Sequence, residues 1–321
     1  MNYGKSNLSR RKKQISSKKK RKKKRVGVRF FKALIICFLL LIVIGAAGIG
    51  IYVKKVIDNT PEVTAKDIMP QGYTTNIVDS NGTLLEQLKD SDSNRVYKKY
   101  DEISPYMGKA FVAIEDERFF KHNGIDIQGI IRAGVNGVAH GFHFTEGAST
   151  LTQQLIKNNV FPNFINESKY QRIERKIQEQ YLALKIEKEM SKEEILEAYM
   201  NTINLGQGCL GVQTAAQRYF NKDAKDLTLS ECAVIAAITQ SPSNLVSNPE
   251  NNAKRREKVL KNMKEQGSIT KDEYDEAMAD NVYDRISETA SNTTASKPYT
   301  YFIDAVINQV VDDLVTEKSY T

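Results

Sequence analysis

Residues 115–126 read Glu115-Asp116-Glu117-Arg118-Phe119-Phe120-Lys121-His122-Asn123-Gly124-Ile125-Asp126, and residues 147–158 read Gly147-Ala148-Ser149-Thr150-Leu151-Thr152-Gln153-Gln154-Leu155-Ile156-Lys157-Asn158. A basic, helix-patterned stretch then carries Arg175-Lys176-Ile177-Gln178-Glu179. Two carboxylates, a run of hydroxyl and amide side chains and several cations thus fall within one short region. The signals around them are helical. Ser104-Pro105 is a start signal with Pro at the first helical position, and Met107, Phe111 and Ile114 follow at helical spacing. Asp126 can cap a helix whose apolar face is Ile127, Ile130, Ile131, Val135 and Val138.

Further helices follow toward the C-terminus. Lys169–Met190 sets Ile173, Ile177, Tyr181 and Leu184 on one stripe. Ser191-Lys192-Glu193-Glu194 and Thr228-Leu229-Ser230-Glu231 are capping boxes, opening helices to about Asn201 and Thr239. Pro249 to Gln266 reads as a charged helix stopped by Gly267, and Thr270 to Glu273 repeats the capping pattern. Residues 284–298, rich in Ser, Thr, Asn and Ala, read as a linker, with one more short element over Tyr299–Val315. Upstream, Asn81-Gly82 between the apolar runs 75–78 and 83–86 signals a β-hairpin, and Arg95-Val96-Tyr97 a third short strand. The body is mainly α with a small β piece.

Charge divides the chain. Residues 1–32 hold fifteen Lys/Arg and no Asp/Glu, leaving 32 basic against 39 acidic residues, a net −7, in the rest. Next to this basic tail lie 21 uncharged residues, Ala33 to Val53. As a helix they would span roughly 32 Å, matching a bilayer core of about 30 Å. A cleavable signal peptide has a shorter apolar run. Ala46-Ala47-Gly48 could end one, but the run continues to Tyr52 and Val53, so a retained anchor is expected. The positive-inside rule keeps 1–32 in the cytoplasm and sends 54–321 across. Arg21-Lys22-Lys23-Lys24-Arg25 therefore reads as a topology signal that also suits anionic lipid, not as a nucleic-acid patch. Three His and three Cys without a CxxC pair offer no zinc set. Cys209 and Cys232 read as small buried residues, with a disulfide between them left open.

Taken singly, the polar candidates are ambiguous. Glu115 lies beside Phe111 and Ile114 in helical register, where burial would make its carboxylate a better base; a solvated surface glutamate is the plainer alternative. Arg175 and Glu179 share a helix face at i and i+4, which an ordinary ion pair also explains. His122 reads as a hydrogen-bonded structural residue before a proton shuttle.

In order, the motifs settle more. Residues 115–126 fit Glu-Asp-x-x-Phe-x-x-His-x-Gly-x-Asp, and 147–158 fit Gly-x-Ser-Thr-Leu-Thr-Gln-Gln-Leu-x-Lys-Asn. Arg175-Lys176-x-x-Glu179 follows, then Ser191-Lys192-x-x-Ile195-Leu196-Glu197-x-Tyr199-x-Asn201. Gly206-Gln207-Gly208-Cys209-Leu210-Gly211 and Ala215-Ala216-Gln217-Arg218-Tyr219-Phe220 complete the series. Over residues 75–265 the chain resembles glycosyltransferase family 51, the peptidoglycan glycosyltransferases. One motif departs. The family usually has Leu-Pro-x-x-Pro where this chain has Ile238-Thr239-Gln240-Ser241-Pro242; the missing first proline is expected to alter the local loop and to leave the catalytic residues untouched.

The resemblance implies a mainly α, lysozyme-like domain with a small β-hairpin near the membrane, preceded by one transmembrane helix. The implied division is a cytoplasmic tail at 1–32, a signal anchor at 33–53, a stalk at 54–73, the glycosyltransferase domain at 74–283, and a linker with the start of a transpeptidase region at 284–321. It implies polymerisation of lipid II into β-1,4 glycan, with inverting displacement of undecaprenyl pyrophosphate. By the family's motifs Glu115 is the base and Glu179 the second essential carboxylate. Thr150, Gln154, Lys157 and Arg175 match the donor phosphate site, and Asp116, Phe119, His122 and Ser149 are carried over as substrate-binding. Glu179 either orients Arg175 or helps hold a divalent cation, Mg or Mn; no organic cofactor is implied. The partners implied are lipid II, the growing glycan, the bilayer and other wall-synthesis or division proteins, with no nucleic acid.

Bifunctional class A penicillin-binding proteins continue into a transpeptidase with Ser-x-x-Lys, Ser-x-Asn and Lys-Thr-Gly. Residues 299–304 resemble the segment that precedes it, so this chain is expected to be the N-terminal part of such a protein, ahead of a complete monofunctional enzyme. A lysozyme-like hydrolase, which also uses paired carboxylates, and a silent scaffold are the other classes.

Overall fold

A computed structural model of the chain describes residues 5–70, 75–88, 95–141, 147–161, 164, 167–291 and 300–318. It divides into two compact units, Met1–Thr60 and Pro61–Thr321. The first is formed by one helix, α1 (Lys5–Asp58). From Arg29 to Asp58 this helix is long and apolar enough to cross a membrane, and the expected span at 33–53 lies within it.

The second unit begins with a single turn, α2 (Ala65–Ile68). Strands β1 (Thr75–Val78) and β2 (Leu84–Leu88) then pair antiparallel, Thr75 opposite Leu88, with an irregularity between Ile77 and Val78. The Asp79 carboxylate accepts the backbone N–H groups of Asn81 and Thr83, each at 2.8 Å, which closes the turn. The third strand expected at 95–97 does not form. Instead the Asn201 side chain satisfies both backbone groups of Lys98, accepting at 2.9 Å and donating at 2.8 Å. Glu197 accepts the Tyr100 N–H at 2.6 Å. A side-chain amide thus does for this segment what a neighbouring strand would do.

The rest is helical: α3 (Pro105–Glu115), α4 (Ile127–Ala139), α5 (Leu151–Val160), α6 (Lys169–Glu189), α7 (Lys192–Thr202), α8 (Val212–Phe220), α9 (Leu229–Ile238), α10 (Pro242–Ser247), α11 (Pro249–Glu265), α12 (Lys271–Ala279), α13 (Val282–Ser291) and α14 (Thr300–Lys318). Capping boxes open α6, α7, α9 and α12 at Ser168, Ser191, Thr228 and Thr270, as their Ser/Thr-x-x-Glu/Gln spacing requires. Composition made 284–298 a linker, but the chain is helical up to Ser291. Residues 292–299 lie outside the described residues.

Every residue of α9 is buried. It is apolar all round, as a central helix must be, and packs against α3 and α11, which also pack against each other. Helix α5 packs against α6 and α7. Phe111 of α3 meets Tyr199 of α7 edge-on at 5.3 Å, a geometry worth about 0.5–1.5 kcal/mol beyond area burial. Cys209 and Cys232 are both buried free thiols, and burial pushes the Cys232 thiol up to about 12.

Two apolar faces lie elsewhere than their periodicity suggests. On α4, Ile127, Ile131, Val135 and Val138 are exposed. On α6, Ile173, Tyr181 and Leu184 of the expected stripe also face outward, while Arg175, Glu179, Leu182, Ala183 and Ile186 are buried. Periodicity identifies a face; it does not say what covers it.

Gly124 fixes how the 115–126 segment meets α6. Its φ is +91°, and a Cβ there would lie 2.7 Å from the backbone carbon and oxygen of Ala183. Backbone strain and overpacking act together, so Gly124→Ala should cost about 2–4 kcal/mol. Thermal unfolding of the purified variant would check this; an unchanged midpoint would show that the contact gives way freely.

Candidate active site

Glu115 is the last residue of α3, and its carboxylate is mostly covered. Three elements donate to it. From α5, Gln154 Nε2 donates to Oε2 at 3.1 Å. From the end of α9, Thr239 Oγ1 donates to Oε1 at 2.5 Å, and from α11 Arg255 Nη2 donates to the same oxygen at 3.1 Å. The Gln154 amide is oriented in turn, its Oε1 accepting the Tyr199 hydroxyl at 3.3 Å. Tyr199 is fully buried, and that burial holds its phenol well above the ordinary range, so it serves as a neutral donor.

Asp116 and His122 form a clasp behind the site. His122 Nδ1 accepts the Gly124 N–H at 3.1 Å, so its proton sits on Nε2, which faces both Asp116 oxygens at 2.9 and 3.0 Å. Asp116 Oδ2 also accepts the Leu151 N–H at 2.9 Å, at the first turn of α5. Thr150 caps α5 and donates to the Gly124 carbonyl at 2.9 Å. This clasp fixes α5 beside Glu115. Asp116, Phe119 and His122, expected to bind substrate, are placed within the fold behind Glu115. Phe119 has no exposed surface, and the other two are buried in bonds within the fold. Arg118 and Asp126 add a two-pronged ion pair at 3.1 and 2.5 Å.

The cations gather along α5 and α6. Lys157 Nζ lies 4.8 Å from the centroid of the Phe164 ring, which Arg175 also approaches. Burial, and then the neighbouring Lys176 charge, lowers the Lys157 pKa. Such a site wants an anion. Arg175 donates through Nε to both oxygens of Glu167, at 2.8 and 2.9 Å, and through Nη1 to Glu179. Burial opposes the Arg175 charge, but Glu167 and Glu179 outweigh it and raise its pKa. Lys176 joins Ser149 Oγ at 2.9 Å to Glu179 Oε2 at 2.6 Å.

Glu179 is 0% exposed, with each oxygen taken by a cation. That donor set does not fit a divalent metal, which needs several free oxygen ligands. Among the described residues no group of three or more His, Cys, Asp or Glu could hold one. The Glu179 carboxylate is held between Arg175 and Lys176.

Four contributors were not singled out from sequence. Lys176 and Tyr199 stood inside quoted motifs but looked like ordinary helix residues. Glu167 and Arg255 stood in none. Thr239, expected to affect only its loop, touches the Glu115 carboxylate itself.

An α-helical domain that sets one carboxylate near a buried cation cluster is the setting in which the family is recognised. Residues 81–264 match the transglycosylase family, and the chain belongs to it. It is similar to penicillin-binding protein 1A of Clostridium perfringens, 37% identical over 303 residues covering 91% of this chain and 36% of the relative. Penicillin-binding protein 1A of Streptococcus oralis is 34% identical, over 91% of this chain and 45% of its own length. The chain thus spans less than half the length of these curated relatives. The crystal structure of penicillin-binding protein 1A from Haemophilus influenzae overlaps it with a TM-score of 0.37 at 22% identity, over 77% of this chain and 25% of that one, too slight an overlap to add to the fold described above.

Proposed function

We propose that the second unit polymerises lipid II into β-1,4 glycan strands on the outer face of the cell membrane. The observation that carries this reading is the pairing, along α5, of Gln154 on Glu115 with Lys157 among the α6 cations. Glu115 takes the proton of the acceptor 4-hydroxyl as that oxygen attacks the anomeric carbon of the donor. The bond to undecaprenyl pyrophosphate breaks with inversion, and Lys157, Arg175 and Lys176 neutralise the departing phosphates. A pyrophosphate needs charge compensation more than a proton, so no separate acid is required. Ser149 and Thr150 line the same cavity as Glu115.

The transglycosylase family match supports this substrate class, and the exposed apolar faces of α4 and α6 suit a domain whose substrates are lipid-anchored. A lysozyme-like hydrolase would have no use for cations converging on a leaving phosphate. The protein should therefore release no soluble muropeptides from intact sacculi; such release would favour hydrolysis.

The basic tail and the apolar part of α1 support a type II orientation. Protease added to intact protoplasts should remove residues 54–321 and spare 1–32. A fully protected body would reverse this topology.

A further inference from the structure

Glu115 stands where two helices end. It is the last residue of α3, and Thr239 is the C-terminal cap of α9. Both ends carry partial negative charge, which repels a carboxylate. Two donors offset this, and both act on one oxygen. Thr239 Oγ1 is 2.5 Å from Glu115 Oε1 and 3.0 Å from the Ala236 carbonyl. The hydroxyl has one proton, and the charged acceptor at the shorter distance takes it. Arg255 Nη2 reaches the same Oε1 at 3.1 Å while its Nη1 is anchored on Gln240 at 2.8 Å. Its neighbour Arg256 points away, into Ser230 and the Ala277 carbonyl, so the two adjacent arginines have separate tasks.

An ionised carboxylate offers about four acceptor sites, two on each oxygen. Oε1 has both filled. Among the described residues, Oε2 has one filled, by Gln154.

We infer that Thr239 and Arg255 are positioning residues that saturate Oε1 of Glu115, so that the acceptor proton is received at the open site on Oε2. The inference rests on the role proposed above for Glu115. It also gives a consequence to the departure at this position: a proline has no donor, whereas Thr239 supplies one to the carboxylate.

Among the described residues, Arg255 from α11, Lys157 from α5 and Tyr199 from α7 face Glu115, and Asp116, Glu117, Arg118, Asp126 and Arg132 line the same cavity. The test is the pH–rate profile of lipid II polymerisation by the full chain in membranes. Thr239→Val keeps the shape and loses the donor. Its acidic limb should move up by about one pH unit, the size expected for one hydrogen bond to a charged group. Thr239→Ser should restore the limb, and affinity for a phosphoglycolipid inhibitor should stay unchanged, because the cation cluster is untouched. Arg255→Gln should move the limb in the same direction, which keeps the test alive if Thr239→Val does not fold. A uniform loss of rate at all pH values, or an unmoved limb in both variants, would overturn the inference. Glu115→Gln run alongside separates the two claims. If that variant is inactive and the limb does not move, only the positioning role is lost. If it remains active, the base assignment itself is lost.

Discussion

Glu115→Gln should slow glycan polymerisation by about 10²–10⁴-fold, the usual contribution of a general base, while the protein stays folded. The amide keeps the shape and can still be held by Gln154, Thr239 or Arg255 after a flip, but it cannot take a proton from the acceptor hydroxyl. Glu115 is also the convergence point of α3, α5, α9 and α11, so its melting temperature should be measured in parallel. A variant with unchanged melting and near-normal chain growth would remove Glu115 from the chemistry.

Arg175→Ala should have the largest effect on stability. It strips one cation from Glu179, which is 0% exposed, and both hydrogen bonds from Glu167. Leaving a buried carboxylate short of a partner costs about 3–5 kcal/mol. Arg175→Met with Glu179→Leu replaces both charges by apolar groups of similar size, and should recover most of that stability while remaining inactive. Recovery of activity in the double variant would show that the pair serves the fold alone. Lys157 is the cleaner probe of anion binding, because it makes no ion pair with the described residues. Lys157→Ala should weaken a phosphoglycolipid inhibitor by roughly 1.5–3 kcal/mol, the range for a charge-assisted hydrogen bond. Because burial lowers the Lys157 pKa, inhibitor affinity should also fall on the alkaline side earlier than an ordinary lysine would allow.

Much of the helical frame was legible because its boundaries are written locally. Ser191 and Glu194, Thr228 and Glu231, and Thr270 and Glu273 cap their own helices within one turn, so three-residue spacing suffices to find them. The apolar faces were harder. Ile131 and Val135 on α4, and Tyr181 and Leu184 on α6, sit at helical spacing yet face outward, because hydrophobic periodicity cannot distinguish a core from a surface that something else covers. Motif membership had a similar limit: Phe119 belongs to the same motif as Glu115 but is core, and only its packing shows it.

The site itself was half legible. Gln154, Lys157, Arg175 and Glu179 lie within one stretch of sequence, and the structure brings them to one region. Thr239 and Arg255 reach Glu115 across 124 and 140 residues. No local spacing encodes such a contact; it follows from α3, α9 and α11 packing together. The Asp116–His122 clasp shows the converse. Its residues are local and recognisable, but the motif does not say that they bond to the backbone of Leu151 and Gly124.

Incubating the full chain in membranes with labelled lipid II, and resolving the products by gel, tests the central claim most directly. The expected product is a ladder of lengthening glycan strands that Glu115→Gln slows by about 10²–10⁴-fold. Absence of chain growth from the unaltered protein, or near-normal chain growth in Glu115→Gln, would contradict the claim.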